Sequence, residues 1–102
     1  MDPVVYPIDK IKNKLKPVFD GQPVYKAVLF GSYATGQATG NSDVDIVIDS
    51  RGELLNINFY GLLDEITQVL AKKIDLFEMS EIKRPSTIYE EISSKGVVLY
   101  DR

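Results

Sequence analysis

Asp43 and Asp45 stand one residue apart in the run SDVDIVID, and Gly31 and Ser32 close the apolar run VLF a short loop earlier. Side chains at i and i+2 of a strand share a face, so these two carboxylates can hold one divalent cation between them. A glycine-serine turn after a buried strand lets backbone N–H groups come close to a phosphate. Together these are parts suited to handling a nucleoside triphosphate. Tyr33 follows the turn directly and is a candidate to touch the nucleotide.

Asp75 is the third acid of interest, because it interrupts an otherwise apolar run, Ile74-Asp75-Leu76-Phe77. If that run is a strand beside the one carrying Asp43 and Asp45, all three carboxylates face one another. Two such charges ~4 Å apart repel by about 4 kcal/mol at an effective dielectric near 20. A protein tolerates the cluster when a cation neutralises it, and Mg²⁺ is the usual choice beside phosphates. Each residue has a plainer reading. Asp43 and Asp45 would suit the wet face of a half-buried strand, and Asp75 could pair with Lys72 or Lys73. The joint spacing, with its apolar flanks, favours the cation site.

Composition narrows the chemistry further. The chain has 102 residues, 44% apolar and 26% charged, and reads as one domain over 1–102. It contains no cysteine and no histidine, so thiolate nucleophiles, imidazole bases and zinc–sulfur sites are excluded. Acid–base and metal chemistry fall to carboxylates, and the metal should be a hard, oxygen-binding one. A net charge of −3 argues against direct nucleic-acid binding. No run is apolar for long enough to span a membrane, and MDPVVYPIDK lacks the pattern of a secretory leader, which makes the cytoplasm the expected location.

The elements that must position these residues follow from periodicity. Ile8, Ile11, Leu15 and Val18 mark a helix that should fade near Pro17, with Lys10, Lys12, Lys14 and Lys16 on its wet sides. Val24–Phe30 reads as a central strand, Gly31–Asn41 as a loop with one helical turn near Tyr33, and Asp43–Asp49 as a second strand. Val44, Ile46 and Ile48 should face the core from that strand, with Asp49 at the surface. The longest helix is expected from about Leu54 to Lys72, on the stripe Leu55, Phe59, Leu62, Ile66 and Val69 or Leu70, with Gly61 explained by close packing. Ile74–Glu78 is a third strand. Ser80 suits a turn cap, Pro85 the first turn of a last helix carrying Ile88 and Ile92, and Val97–Tyr100 an edge strand. The expected fold is α+β in two layers, with helices on a small mixed sheet of about four strands. The loop between the first two strands is too short for a helical crossover, so they should be antiparallel.

On the motif GSY…SDVDIVI, the lone acid in IDLF and the ending GVVLYDR, the chain resembles the DNA polymerase beta-like nucleotidyltransferase superfamily. Within it, the chain looks most like the minimal nucleotidyltransferases, the MNT antitoxins of HEPN/MNT toxin–antitoxin systems. The resemblance implies that Gly31 and Ser32 hold the triphosphate of ATP, that Asp43 and Asp45 bind two Mg²⁺ ions, and that Asp75 completes the second metal site. It implies transfer of AMP to a hydroxyl, such as a tyrosine, of a HEPN-domain toxin. One position departs from the pattern: many family members carry a basic residue where this chain has Thr35, and Lys83, Arg84 or a basic residue of a partner could supply that charge. Two other functions fit the same chain. It could be a binding module that neutralises its partner by occlusion, or a transferase acting on a small molecule such as an antibiotic. The last ranks lowest, because its acceptor site normally comes from a further domain or a dimer partner.

Overall fold

The computed structural model describes residues 5–102. The part of the leader reading that rests on residues 1–4 lies outside them. The order is helix α1 (Ile8–Asp20), strand β1 (Lys26–Phe30), a 3₁₀ turn (Gly31–Tyr33), strand β2 (Val44–Asp49), helix α2 (Ile57–Leu70), strand β3 (Ile74–Glu78), a second 3₁₀ turn (Met79–Glu81), helix α3 (Thr87–Lys95) and strand β4 (Val97–Asp101). The four strands form one mixed sheet in the order β3-β2-β1-β4. β1 is antiparallel to β2 and to β4, whereas β2 and β3 run parallel. This is the expected α+β architecture, with β1 and β2 antiparallel as the loop length requires.

The two faces of the sheet are covered unequally. Ala27, Leu29, Val44, Ile46, Ile48 and Ile74 turn toward α1 and α2, whose Ile11, Leu15, Phe19, Leu62, Ile66 and Leu70 complete the main core. Residues of opposite parity, Val28, Phe30 and Val47, share a smaller cluster with Ile92 of α3. Partly buried Phe77, Met79 and Ile82 pack against it. The second face therefore carries a short helix and a thin core. The functional residues sit on this face.

Most strand ends fall within one or two residues of expectation, with β2 starting at Val44 so that Asp43 just precedes it, and three larger departures have a local reason. α1 continues through Pro17 to Asp20. An interior proline costs about 3 kcal/mol, but Val18 and Phe19 are both buried beyond it, and two such side chains recover about as much or more. α2 starts at Ile57 because Asn56 adopts φ 54°, which breaks the helical path. Leu55 therefore lies outside the apolar stripe and is 57% exposed. The cap of α3 is Ser86, whose Oγ accepts from the N–H of Tyr89 at 3.0 Å, so Pro85 precedes the helix instead of standing in its first turn.

Gly61 does not pack closely. A Cβ at that position would meet nothing within 4 Å, so the reason assigned to it from sequence is corrected. Gly61→Ala should stabilise the protein by about 0.5–1 kcal/mol through helix propensity and unfolded-state entropy. Gly96 is the opposite case, because a Cβ there would run into the carbonyl oxygen of Ile92 and Cγ1 of Val28. Gly96→Ala should cost about 1–3 kcal/mol. Urea unfolding of both variants checks the pair, and equal effects would refute the packing described for α3.

Candidate active site

Asp45 and Asp75 are direct partners in the parallel β2–β3 register, and Phe30 is the partner of Asp45 across β1–β2. Val47 and Phe77, two residues along each strand, belong to the smaller cluster, so both aspartates share its face of the sheet. The Gly31–Tyr33 turn follows Phe30 at the same end of the sheet. A Cβ on Gly31 would collide with Oδ2 of Asp45, and Gly31 itself has φ +72°. Both the space and the conformation require glycine here.

The turn is held by its own hydrogen bonds. Ala34 and Thr35 donate to the carbonyl of Gly31 at 3.1 and 3.3 Å, and Gln37 donates to that of Ser32 at 3.0 Å. The Thr35 hydroxyl lies 3.4 Å from both the Gly31 and Ser32 carbonyls and so braces the turn. Lys72 donates to the carbonyl of Gly40 at 2.9 Å, tying the far end of the loop to the start of β3. The loop is thus fixed at both ends despite its small residues.

Electrostatics mark Asp45. Its carboxyl is pushed up from the ordinary 3.8 to about 6, first by burial, then by the charge of Asp75, a hydrogen bond with Asp75, and the charges of Asp43 and Glu91. The charges of three other acids therefore act on Asp45, with no histidine or thiol in the chain to change the chemistry. Such crowding suits a hard divalent cation, whose preferred ligands are carboxylate oxygens. Asp43 is turned aside as the side chains stand, its Oδ2 lying 3.5 Å from Nζ of Lys73. Among the described residues no three acidic side chains converge on one point. Asp45 and Asp75, level with one another on adjacent strands, could hold a cation, and Asp43 could join them by leaving Lys73. That exposed pair is worth at most about 1 kcal/mol.

The remaining expected residues are placed as follows. Gly31 and Ser32 lie in the turn beside Asp45. Tyr33 is next to it, but its side chain is only 3% exposed, packed in the main core, with its hydroxyl lacking a partner among the described residues. Any contact of Tyr33 with a nucleotide would therefore run through its backbone. Lys73 pairs with Asp43 and not with Asp75. Asp49 accepts from the N–H of Arg51 at 3.0 Å, away from the acidic group. Sequence reasoning missed Glu91, which α3 brings to Asp45 from the far end of the chain. It also missed buried Glu78, which accepts from the Ser50 hydroxyl at 2.7 Å while Ser50 Oγ accepts from the N–H of Leu54 at 3.2 Å. That network clasps the ends of β2 and β3 to the lead into α2.

Comparisons with known proteins identify the family and the fold. A family model described as "Polymerase beta, Nucleotidyltransferase" matches residues 13–102. A Methanocaldococcus jannaschii protein named "Putative protein adenylyltransferase" is 33% identical over 76 residues, covering 74% of this chain and 81% of that one. Another of the same name and organism is 30% identical over 100 residues, covering 91% and 94%. Among solved structures, a toxin–antitoxin complex with AMP-PNP contains a chain that superposes with a TM-score of 0.75 at 26% identity, covering 89% of this chain and 73% of that one. A complex of tri-AMPylated Shewanella oneidensis HEPN toxin with MNT antitoxin gives a TM-score of 0.69 at 23% identity over 93% of this chain and 73% of that one, a likeness of fold. A family model covering most of the chain and relatives at 30% identity or more show that the chain belongs to the polymerase beta nucleotidyltransferase family.

Proposed function

We propose that this domain is an Mg²⁺-dependent protein adenylyltransferase that moves AMP from ATP to a tyrosine hydroxyl of a HEPN-domain toxin and so acts as its antitoxin. The observation that carries the reading is the register of Asp45 with Asp75 beside a glycine turn that packs against Asp45. The adenylyltransferase relatives and the toxin–antitoxin likeness support the acceptor class and the partner. Mg²⁺ bound by Asp43, Asp45 and Asp75 would neutralise the triphosphate and the developing charge.

The protein's own residues have separable roles in this reading. Backbone groups of Gly31 and Ser32 hold the β- and γ-phosphates at the end of β1. The acceptor oxygen attacks the α-phosphorus in line, forming the new P–O bond as the bond to the β-phosphate bridging oxygen breaks and pyrophosphate departs with the electron pair. Asp75 faces the attacking oxygen and takes its proton. Glu91 adds negative charge that strengthens cation retention at Asp45. Thr35 braces the turn but supplies no positive charge to the leaving group. Thr35→Arg should therefore lower the KM for ATP by about three- to ten-fold, consistent with one charge-assisted hydrogen bond. Steady-state pyrophosphate release measures it, and an unchanged or higher KM would refute this account of the departure at Thr35.

The deciding experiment combines Mg²⁺, the partner protein and ATP labelled at the α-phosphate, with Asp43→Asn, Asp45→Asn as the control. Label on the partner with wild type alone is expected. A stable complex without label would favour occlusion instead. One observation supports that second reading: Leu55, Ile57 and Tyr60 are 57%, 84% and 67% exposed at the start of α2, an apolar patch suited to a partner.

A further inference from the structure

Along β3 from Asp75, and continuing into the connection to α3, lies a groove of roughly 310 Å³ lined by Phe77, Glu81, Ile82, Lys83, Ser86 and Ile88. Its floor, Phe77, is two residues from Asp75 on the same strand and face, and its ring lies 5.7 Å from that of Phe30. Its outer wall comes from α3, where Ile88 is 38% exposed and free of the core. The groove is mostly apolar, with one cation, Lys83, at the rim.

We infer that this groove seats the acceptor's aromatic side chain, so that Phe77, Ile82 and Ile88 select a phenolic hydroxyl over an aliphatic one. The inference rests on the transfer reaction proposed above and extends it. Across the sheet the order is the glycine-serine turn after β1, then Asp45 on β2, then Asp75 on β3, and the groove opens from Phe77, two residues further along β3. In-line displacement puts the leaving group and the attacking oxygen on opposite sides of the phosphorus. Pyrophosphate held at the β1 end means that the acceptor oxygen enters from the β3 side. The apolar groove that begins at Phe77, two residues along the strand and on the same face as Asp75, is then the place for the rest of the acceptor residue. An aromatic ring gains from burial against phenylalanine and isoleucine, while a serine side chain is too short and polar to gain anything there. This places the substrate preference in the segment between β3 and α3.

The test uses the full chain, uniformly labelled with ¹⁵N and loaded with AMP-PNP, titrated with N-acetyltyrosinamide, N-acetylserinamide or adenosine. Tyrosinamide should shift the amide signals of Phe77, Ile82 and Ile88, and serinamide should leave them in place. Ile88→Glu should weaken tyrosinamide binding by about ten-fold while keeping AMP-PNP affinity within about two-fold, which shows that the variant is folded. Shifts confined elsewhere, no shifts, equal response to serinamide, or adenosine shifting the groove signals would each overturn the inference. AMP transfer without tyrosinamide binding in the groove counts against the groove alone. Groove binding in a wild-type protein that transfers no AMP counts against the functional reading beneath it.

Discussion

Asp45→Asn should abolish AMP transfer and, without divalent cation, make the protein more stable. The carboxyl of Asp45 sits at about 6 in the folded state against 3.8 as its ordinary value, because burial and the neighbouring acids oppose its charge. Between those two values the folded state holds more protons than the unfolded state, so stability falls as pH rises through this window. Above pH 6 the cost is fully present, and below 3.8 it is gone. The half-buried position of Asp45 lets solvent screen part of it, leaving about 1–2 kcal/mol at neutral pH. Removing the charge should raise Tm by about 5–10 °C in EDTA and flatten the stability profile between pH 4 and 6. Activity should fall by at least about a thousand-fold, as expected for a lost metal ligand. Adding Mg²⁺ should stabilise wild type and leave Asp45→Asn unmoved. A variant less stable than wild type in EDTA would refute the crowding of charges at this site.

Gly31→Ala should be damaging in both stability and activity. A left-handed conformation costs a non-glycine residue about 1–2 kcal/mol, and the new Cβ would occupy the place of Asp45 Oδ2. The carboxylate can swing away, but then it no longer faces Asp75. The expected loss is about 2–4 kcal/mol of stability, with transfer reduced at least as far as in Asp45→Asn. The double variant Gly31→Ala, Asp45→Asn should recover part of the stability and none of the activity, since asparagine still fills the space but carries no charge. Thermal unfolding and transfer assays on the two single variants and the double variant check this. A Gly31→Ala protein with wild-type transfer would show that the turn is not where the phosphates sit.

Much of this was legible in sequence because it depends on short-range period. The alternation of Val44, Ile46 and Ile48 with Asp45 and Val47 already assigns both faces of β2, and the structure keeps that assignment. The short loop after Gly31 likewise requires the antiparallel β1–β2 pair. What escaped depends on tertiary placement. Glu91 lies on a helix whose local pattern shows only a surface acid, and only packing of Ile92 on the second face brings it near Asp45. Tyr33 could be read as a nucleotide contact because a tyrosine suits either core or rim, and the choice is made by its packing into the main core. Leu55 fits a helical stripe until the positive φ at Asn56 removes it. Glu78 appears as an ordinary strand-end acid until Ser50 and Leu54 close over it.

The parallel pairing of β2 with β3 has a consequence for how the protein becomes active. Asp45 and Asp75 belong to segments joined through the whole of α2, so they meet only after that long connection has closed. Contacts of such separation form late, because the chain entropy lost in closing the loop is not offset until both strands dock. The mutual repulsion of the two carboxylates opposes the docking further. A partly folded chain can therefore carry the complete glycine-serine turn and β1–β2 hairpin and still be chemically silent. Catalytic competence therefore waits on the β2–β3 pairing, and it is lost when that pairing opens.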